Sequence, residues 1–227
     1  MLARHFLVVL YKETHHLCES YLFIGDILLI LGHNKTGVQG FLVLFSGSSM
    51  DHLEITREAI LQTTAKVCMQ LASVEGRDFT LPPGPLTAES LALACSSSGS
   101  AKSFQSAISD VTWRNAGVDF RHLFNEEYHF DGERFTEGWK LIKDGMTSVK
   151  ASIKQGNFEA ARQKLGDILH TLQDFYSHSN WMELGNRFPH SNLIRSDVSD
   201  IGPVAGMALV CVWVCMLTKG SSLKMSE

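Results

Sequence analysis

From residue 158 onward the apolar positions step by three and four: Phe158, Ala161, Leu165, Ile168, Leu172 and the pair Phe175/Tyr176. That spacing predicts an amphipathic helix from Phe158 to Glu183 or slightly less, with Gly156 and Asn157 as the stop and cap before it. The same period recurs upstream. Trp139, Ile142, Met146, Val149 and Ile153 predict a helix over Phe135–Gln155, and Ile55, Ala59, Ile60, Val67 and Leu71 predict one from about Asp51 to Ala72. Phe104, Ile108, Val111 and Trp113 mark a third over about Lys102–Asn115, and a short helix fits Thr87–Ala94. Between them, residues 76–100 carry Leu81-Pro82-Pro83-Gly84-Pro85 and the serine-rich stretch Ser96–Ser100, which read as loop. Every predicted element is helical, so the fold class is all-α.

The polar side of the last helix is unusual. His170, Asp174 and His178 recur at every fourth position. Side chains four apart stack on one face, opposite the apolar stripe, so imidazole, carboxylate and imidazole are offered together. Two readings are open. Neutral imidazole and carboxylate are ordinary zinc ligands; alternatively the face is solvated, and Asp174 pairs with a partly charged His for about 0.3–0.5 kcal/mol. Gly166 within this helix costs about 1 kcal/mol against Ala, which a close neighbouring helix would explain.

Other potential ligands are scattered. His52 lies in the first turn of its helix, where the dipole disfavours a charged imidazole and so favours the neutral form that binds metal. Asp119, His122 and the segment Asn125-Glu126-Glu127-Tyr128-His129-Phe130-Asp131-Gly132-Glu133 are rich in oxygen and nitrogen donors; standing alone, this segment is an acidic surface loop.

The ends fit this pattern poorly. Residues 1–48 alternate short apolar bursts with Lys12, His15, His16, Asp26 and His33, and contain neither a secretory signal nor a membrane span. Asn34-Lys35-Thr36 is a glycosylation sequon that matters only in a secreted chain. Residues 201–227 hold an apolar run and a polar tail, and weak membrane contact through 204–217 or an unrelated read-through end suits them better than a core helix. The organisation expected is therefore an N-terminal extension over 1–48, a helical module over 49–200 and the terminal run. The 227 residues carry a net charge of −4 with both signs interspersed, so no basic stripe for nucleic acid exists. Five cysteines (Cys18, Cys68, Cys95, Cys211, Cys215) lack metal-type spacing and leave the redox compartment open.

Three segments in order carry a resemblance: His52-Leu53-Glu54-Ile55-Thr56-Arg57-Glu58-Ala59, Tyr128-His129-Phe130-Asp131-Gly132-Glu133, and Leu165-Gly166 with His170 through Gly185. Over roughly residues 50–195 the chain resembles the N-terminal module of the von Willebrand factor A domain-containing protein 7 family. More distantly it is similar to the fungal Het-C domain and the zinc-dependent phospholipase C/P1 nuclease fold, a helical bundle holding zinc. The resemblance implies His52, His129, His170 and Asp174 as metal ligands, His178 as a looser match, and Asp119 as the counterpart of a metal-binding catalytic carboxylate. The second helical His-x-x-x-Glu pair of those enzymes has no match, and 48 unmatched residues stand where the phospholipases begin with a metal-binding Trp. One or two zinc ions are the most this ligand set implies. No Asp-x-Ser-x-Ser adhesion motif is present, so the expected protein is a truncated relative carrying only the helical module. It would be extracellular or secreted by resemblance, non-catalytic, with an unidentified extracellular partner and a residual metal site. The competing expectations are a zinc-dependent phosphoesterase and a plain bundle with exposed histidines.

Overall fold

A computed structural model describes residues 51–95, 100–182, 184–195 and 197–202. The N-terminal extension with its sequon, the 204–217 run, and Cys18, Cys211 and Cys215 lie outside the described residues. Among the described residues every regular element is helical, so the chain is all-α. The helices are α1 (His52–Val74), α2 (Ala88–Ala94), α3 (Ala101–Ala116), α4 (Val118–Arg121), α5 (Glu126–His129), α6 (Phe135–Lys154) and α7 (Phe158–His178), with a 3-10 turn over Asp131–Glu133 between α5 and α6.

Local chemistry starts most of these elements. Asp51 accepts a hydrogen bond from the Glu54 amide, Ser100 from that of Lys102 and Asn157 from that of Ala160, each satisfying an orphan amide of a helix's first turn. Thr87 and Ser90 form a reciprocal capping box at α2. α7 stops at His178 rather than near Glu183, because Ser179 takes extended backbone (φ −105°, ψ 162°).

α7 is the central element. It packs against α6 on one side and α3 on the other, and α1 lies across α3. From Leu165 to Tyr176 every residue is buried. The apolar stripe Leu165, Ile168, Leu172 and Phe175 meets α6, whose own inward set is Trp139, Ile142, Val149 and Ile153. The polar side is therefore not solvated: α3, α1 and α5 cover it. Buried polar groups survive only when paired, and that pairing is what makes the site.

Two glycines permit the close approach. A Cβ on Gly166 would stand 2.7 Å from the Val111 carbonyl oxygen and 2.7 Å from Arg114 Cβ, both on α3. A Cβ on Gly145 of α6 would run into Ile168 of α7. The neighbour that the sequence required for Gly166 is α3. The segment after α7 folds back as a strap: Trp139 Nε1 donates to the Asn192 carbonyl at 3.0 Å and Lys143 Nζ to that of Val198 at 3.1 Å.

Cys68 of α1 and Cys95 at the end of α2 form a disulfide with a Cα–Cα distance of 5.3 Å, closing a loop of 27 residues. Spacing alone did not indicate this pair, since the proline-rich loop between them brings the two helix ends together only in three dimensions.

Two outcomes follow. Gly166→Ala should lower unfolding free energy by about 1–3 kcal/mol despite Ala's better helix propensity, because the methyl group meets α3 backbone rather than a movable side chain; urea titration measures it. Replacing Cys68 and Cys95 together by Ala should cost about 3.5 kcal/mol by the loop-entropy relation, read from the same titration.

Candidate metal centre

Four side chains from three elements converge on the polar side of α7. His170 and Asp174 sit one turn apart on it; His52 arrives from the first residue of α1, and His129 from the last residue of α5. His170 Nε2 stands 3.0 Å from Asp174 Oδ2, His129 Nδ1 2.9 Å from the same oxygen, and His52 Nε2 3.4 Å from Asp174 Oδ1. His170 Nε2 and His129 Nδ1 are 3.2 Å apart. Asp119 of α4 reaches the cluster from outside, with Oδ1 3.4 Å from His170 Nε2. The side chains of His52, His170 and Asp174 are at most 3% exposed, whereas that of Asp119 is 34% exposed.

Each position has a local cause. His52 is held at the N-terminus of α1 by the Asp51 cap, and its ring lies 4.2 Å from that of His170, centroid to centroid. His129 ends a one-turn helix because Phe130 adopts left-handed backbone (φ 57°), which a non-glycine residue holds only when packing compels it. Phe130 is buried edge-on against Phe175, with centroids 5.3 Å apart, so a hydrophobic anchor holds the turn that aims His129. Asp119 is aimed by its helix: Arg121, two residues on, bonds Asp167 of α7 at 2.8 Å and the Arg114 carbonyl at 2.7 Å. Arg114 adds two bonds to the same carboxylate at 2.8 and 3.1 Å. This partly buried Arg114–Asp167–Arg121 cluster ties α3 and α4 to α7.

The electrostatics are unusual. Burial pushes the Asp174 carboxyl up, but hydrogen bonds from His129, His170 and His52 outweigh it and hold the group well below the ordinary carboxylate range. His52 is pushed down by burial, yet its bond to Asp174 leaves it raised overall; His129 is raised chiefly by its Asp174 bond. His170 is lowered, because burial there exceeds the pull of Asp174. Asp174 is thus an anion fixed in the interior, facing three imidazole nitrogens.

The donor set fits a zinc ion. Imidazole and carboxylate are zinc ligands, and bonds of about 2.0–2.1 Å in tetrahedral array put ligand atoms ~3.3 Å apart, against 2.9–3.2 Å among His129 Nδ1, His170 Nε2 and Asp174 Oδ2; His52 faces the other oxygen, Oδ1, at 3.4 Å. Two overlapping groupings, His129/His170/Asp174 and His52/Asp119/His170, each place one ligand atom per residue within 4.8 Å of the others. Both use His170, and its single inward nitrogen serves one ion at a time. The outer nitrogens are also engaged: His52 Nδ1 donates to Gln173 Oε1 at 2.6 Å, His170 Nδ1 to Asn115 Oδ1 at 3.2 Å, and His129 Nε2 to the His122 carbonyl at 3.2 Å. An outer N–H spent on a fixed acceptor is the usual device for orienting a ligating imidazole.

Of the six residues singled out by sequence, five meet here. His178 does not; its Nδ1 pairs with Asp131 Oδ1 at 2.9 Å in a half-exposed position near the end of α7. One turn beyond Asp174, the helix has left the covered region, so fourfold spacing carried His178 past the cluster. The residues that sequence missed are Gln173, Asn115 and Thr56, all buried. Only Gln173, beside Asp174 on the same helix, carried any positional signal.

The molecule is thus an all-helical bundle with a buried histidine–aspartate centre. Residues 86–219 match the VWA7 N-terminal domain family, and the chain belongs to that family. The match begins after α1, so His52 lies upstream of it, and it includes the 201–219 run. The chain is 33% identical over 165 residues to von Willebrand factor A domain-containing protein 7 of Rattus norvegicus, covering 67% of this chain and 18% of the relative. It is 31% identical over 179 residues to the Homo sapiens protein of that name, covering 72% and 19%, and 33% identical over 165 residues to that of Mus musculus, covering 67% and 18%. It therefore spans about a fifth of the length of these relatives. No solved structure matches.

Asp174→Ala should destabilise the ion-free fold by about 3–5 kcal/mol, the usual cost of removing one partner from a buried charged network; thermal melts in excess chelator check it.

Proposed function

We propose that this module binds one zinc ion, with His129, His170 and Asp174 as the preformed donor set and His52 joining from beside it as the fourth ligand, and that the ion serves to hold the bundle together for an interaction role rather than to turn over a substrate. The carrying observation is the burial of the four donors on three separate elements. Structural zinc sites are closed, whereas catalytic ones keep an open position for water or substrate. An ion here would cross-link α1, α5 and α7, and its binding free energy would add to that of folding.

The setting that fits is extracellular. The Cys68–Cys95 disulfide supports it, since such bonds persist in oxidising compartments and are rare in the cytosol. No helix among the described residues is long and apolar enough to cross a membrane. The partner would be an extracellular macromolecule, and the interspersed charge argues against nucleic acid.

A second reading rests on Asp119. It is the one cluster residue with substantial exposure. A zinc-dependent phosphoesterase would use the ion to activate water and neutralise phosphate charge, with Asp119 positioned to accept a proton. The four-donor closure favours the structural reading.

Elemental analysis of the purified full chain after refolding with zinc should give about one equivalent, and His170→Ala should abolish it and cancel the zinc-dependent rise in melting temperature. Less than about a tenth of an equivalent in the wild type would reject the site. Zinc-dependent cleavage of a chromogenic phosphodiester, lost in Asp119→Asn while zinc content stays the same, would favour the hydrolase instead.

A further inference from the structure

Behind the imidazoles lies a second buried layer whose hydrogen bonds close in only one way. Thr56 Oγ1 is 2.8 Å from one terminal atom of the Asn115 amide and 2.9 Å from one terminal atom of the Gln173 amide. That same Asn115 atom is 3.2 Å from the other terminal atom of Gln173, which in turn is 2.6 Å from His52 Nδ1. The remaining Asn115 atom faces His170 Nδ1 at 3.2 Å. All three residues are fully buried, so bulk water does not reach them.

Each amide has two orientations, and counting hydrogens eliminates all but one combination. Turning both carbonyls toward Thr56 would ask its single hydroxyl hydrogen to serve two acceptors. Turning one amide alone would set nitrogen against nitrogen, or oxygen against oxygen, between Asn115 and Gln173. With both NH₂ groups toward Thr56, every contact has a donor and an acceptor. Gln173 Oε1 and Asn115 Oδ1 then face the two histidines as acceptors, so His52 Nδ1 and His170 Nδ1 must both carry hydrogen. His129 is fixed in the opposite sense, since the His122 carbonyl can only accept from its Nε2.

We infer that Thr56, Asn115 and Gln173 are positioning residues that set the tautomers of His52 and His170, presenting Nε2 of both to the ion while His129 presents Nδ1. The inference rests on the zinc reading for its purpose, but the tautomer assignment stands on hydrogen-bond counting alone. A neutral imidazole has one N–H; committing it outward leaves the inward nitrogen as the coordinating atom. The layer also makes α3 a contributor to the site, although no residue of α3 reaches the ion position.

The test uses the full chain labelled with ¹⁵N. Long-range ¹H–¹⁵N spectra of the ion-free protein at a pH about two units above the ordinary imidazole value of ~6.5 should show hydrogen on Nδ1 of His52 and His170 and on Nε2 of His129, with any further hydrogen on an inward nitrogen bonded to Asp174. In the zinc-loaded chain the shifted nitrogens should be Nε2, Nε2 and Nδ1 respectively. In chelator competition Gln173→Leu should weaken zinc binding by about 10–100-fold, the usual effect of losing an outer partner. Gln173→Glu, which keeps an acceptor against His52, should recover most of that loss. Finding no hydrogen on Nδ1 of His52 or His170, or equal affinity in Gln173→Leu and the wild type, overturns the inference. A wild-type chain that shows these tautomers but takes up no zinc overturns the ion-binding reading and leaves the tautomer assignment supported. The wild-type spectra decide the matter even if Gln173→Leu fails to fold.

Discussion

The structure depends on one anion kept out of water. Asp174 sits within the unbroken buried run Leu165–Tyr176 of α7, and a carboxylate there costs several kcal/mol unless its oxygens are fully engaged. Three imidazoles engage them, one from its own helix and two from elements 45 and 122 residues earlier in the chain. Placing those two imposes demands on the rest: α1 must begin at residue 52, α5 must end at residue 129, and α3 must lie close enough to seal the cluster from above. The architecture around α7 meets these demands together.

The supporting features serve that arrangement in different ways. Gly166 lets α3 come down onto α7, and the Arg114–Asp167–Arg121 cluster fixes the angle at which α4 follows, which sets Asp119. Phe130 holds a left-handed turn because its ring is locked between α6 and α7, so apolar packing is spent on aiming a histidine. Backbone strain that persists beside a polar cluster, compelled by core packing, is characteristic of sites that bind something. The disulfide lies at the other end of α1, so that helix is tied at its C-terminal half covalently and at its first residue through His52.

Membership of the VWA7 N-terminal domain family gives the chain its relatives without fixing a chemistry. The physical contrast that matters is between a closed donor set and one partly open carboxylate. Burial of His52, His129, His170 and Asp174 accords with the cross-linking ion proposed above, and Asp119 is the partly exposed carboxylate beside them. A bundle of this size with a proline-rich loop and a long strap after its last helix gains from its disulfide, as small cores commonly do.

Helix positions were readable along the chain because the 3.6-residue period and the capping residues are local properties. Asp51, Thr87, Ser100 and Asn157 start helices where their side chains meet the next amides. The fourfold spacing of His170 and Asp174 was equally local, and it placed both on one face. That spacing could not show whether the face met water or protein, because burial is set by what packs above it; α3, α1 and α5 made it an interior, and the end of their cover excluded His178. The pairing of Cys68 with Cys95, and the closure of Thr56, Asn115 and Gln173 behind the histidines, were likewise decided only in three dimensions. A disulfide and a hydrogen-bond network need distances between residues far apart in the chain, and no periodicity encodes those.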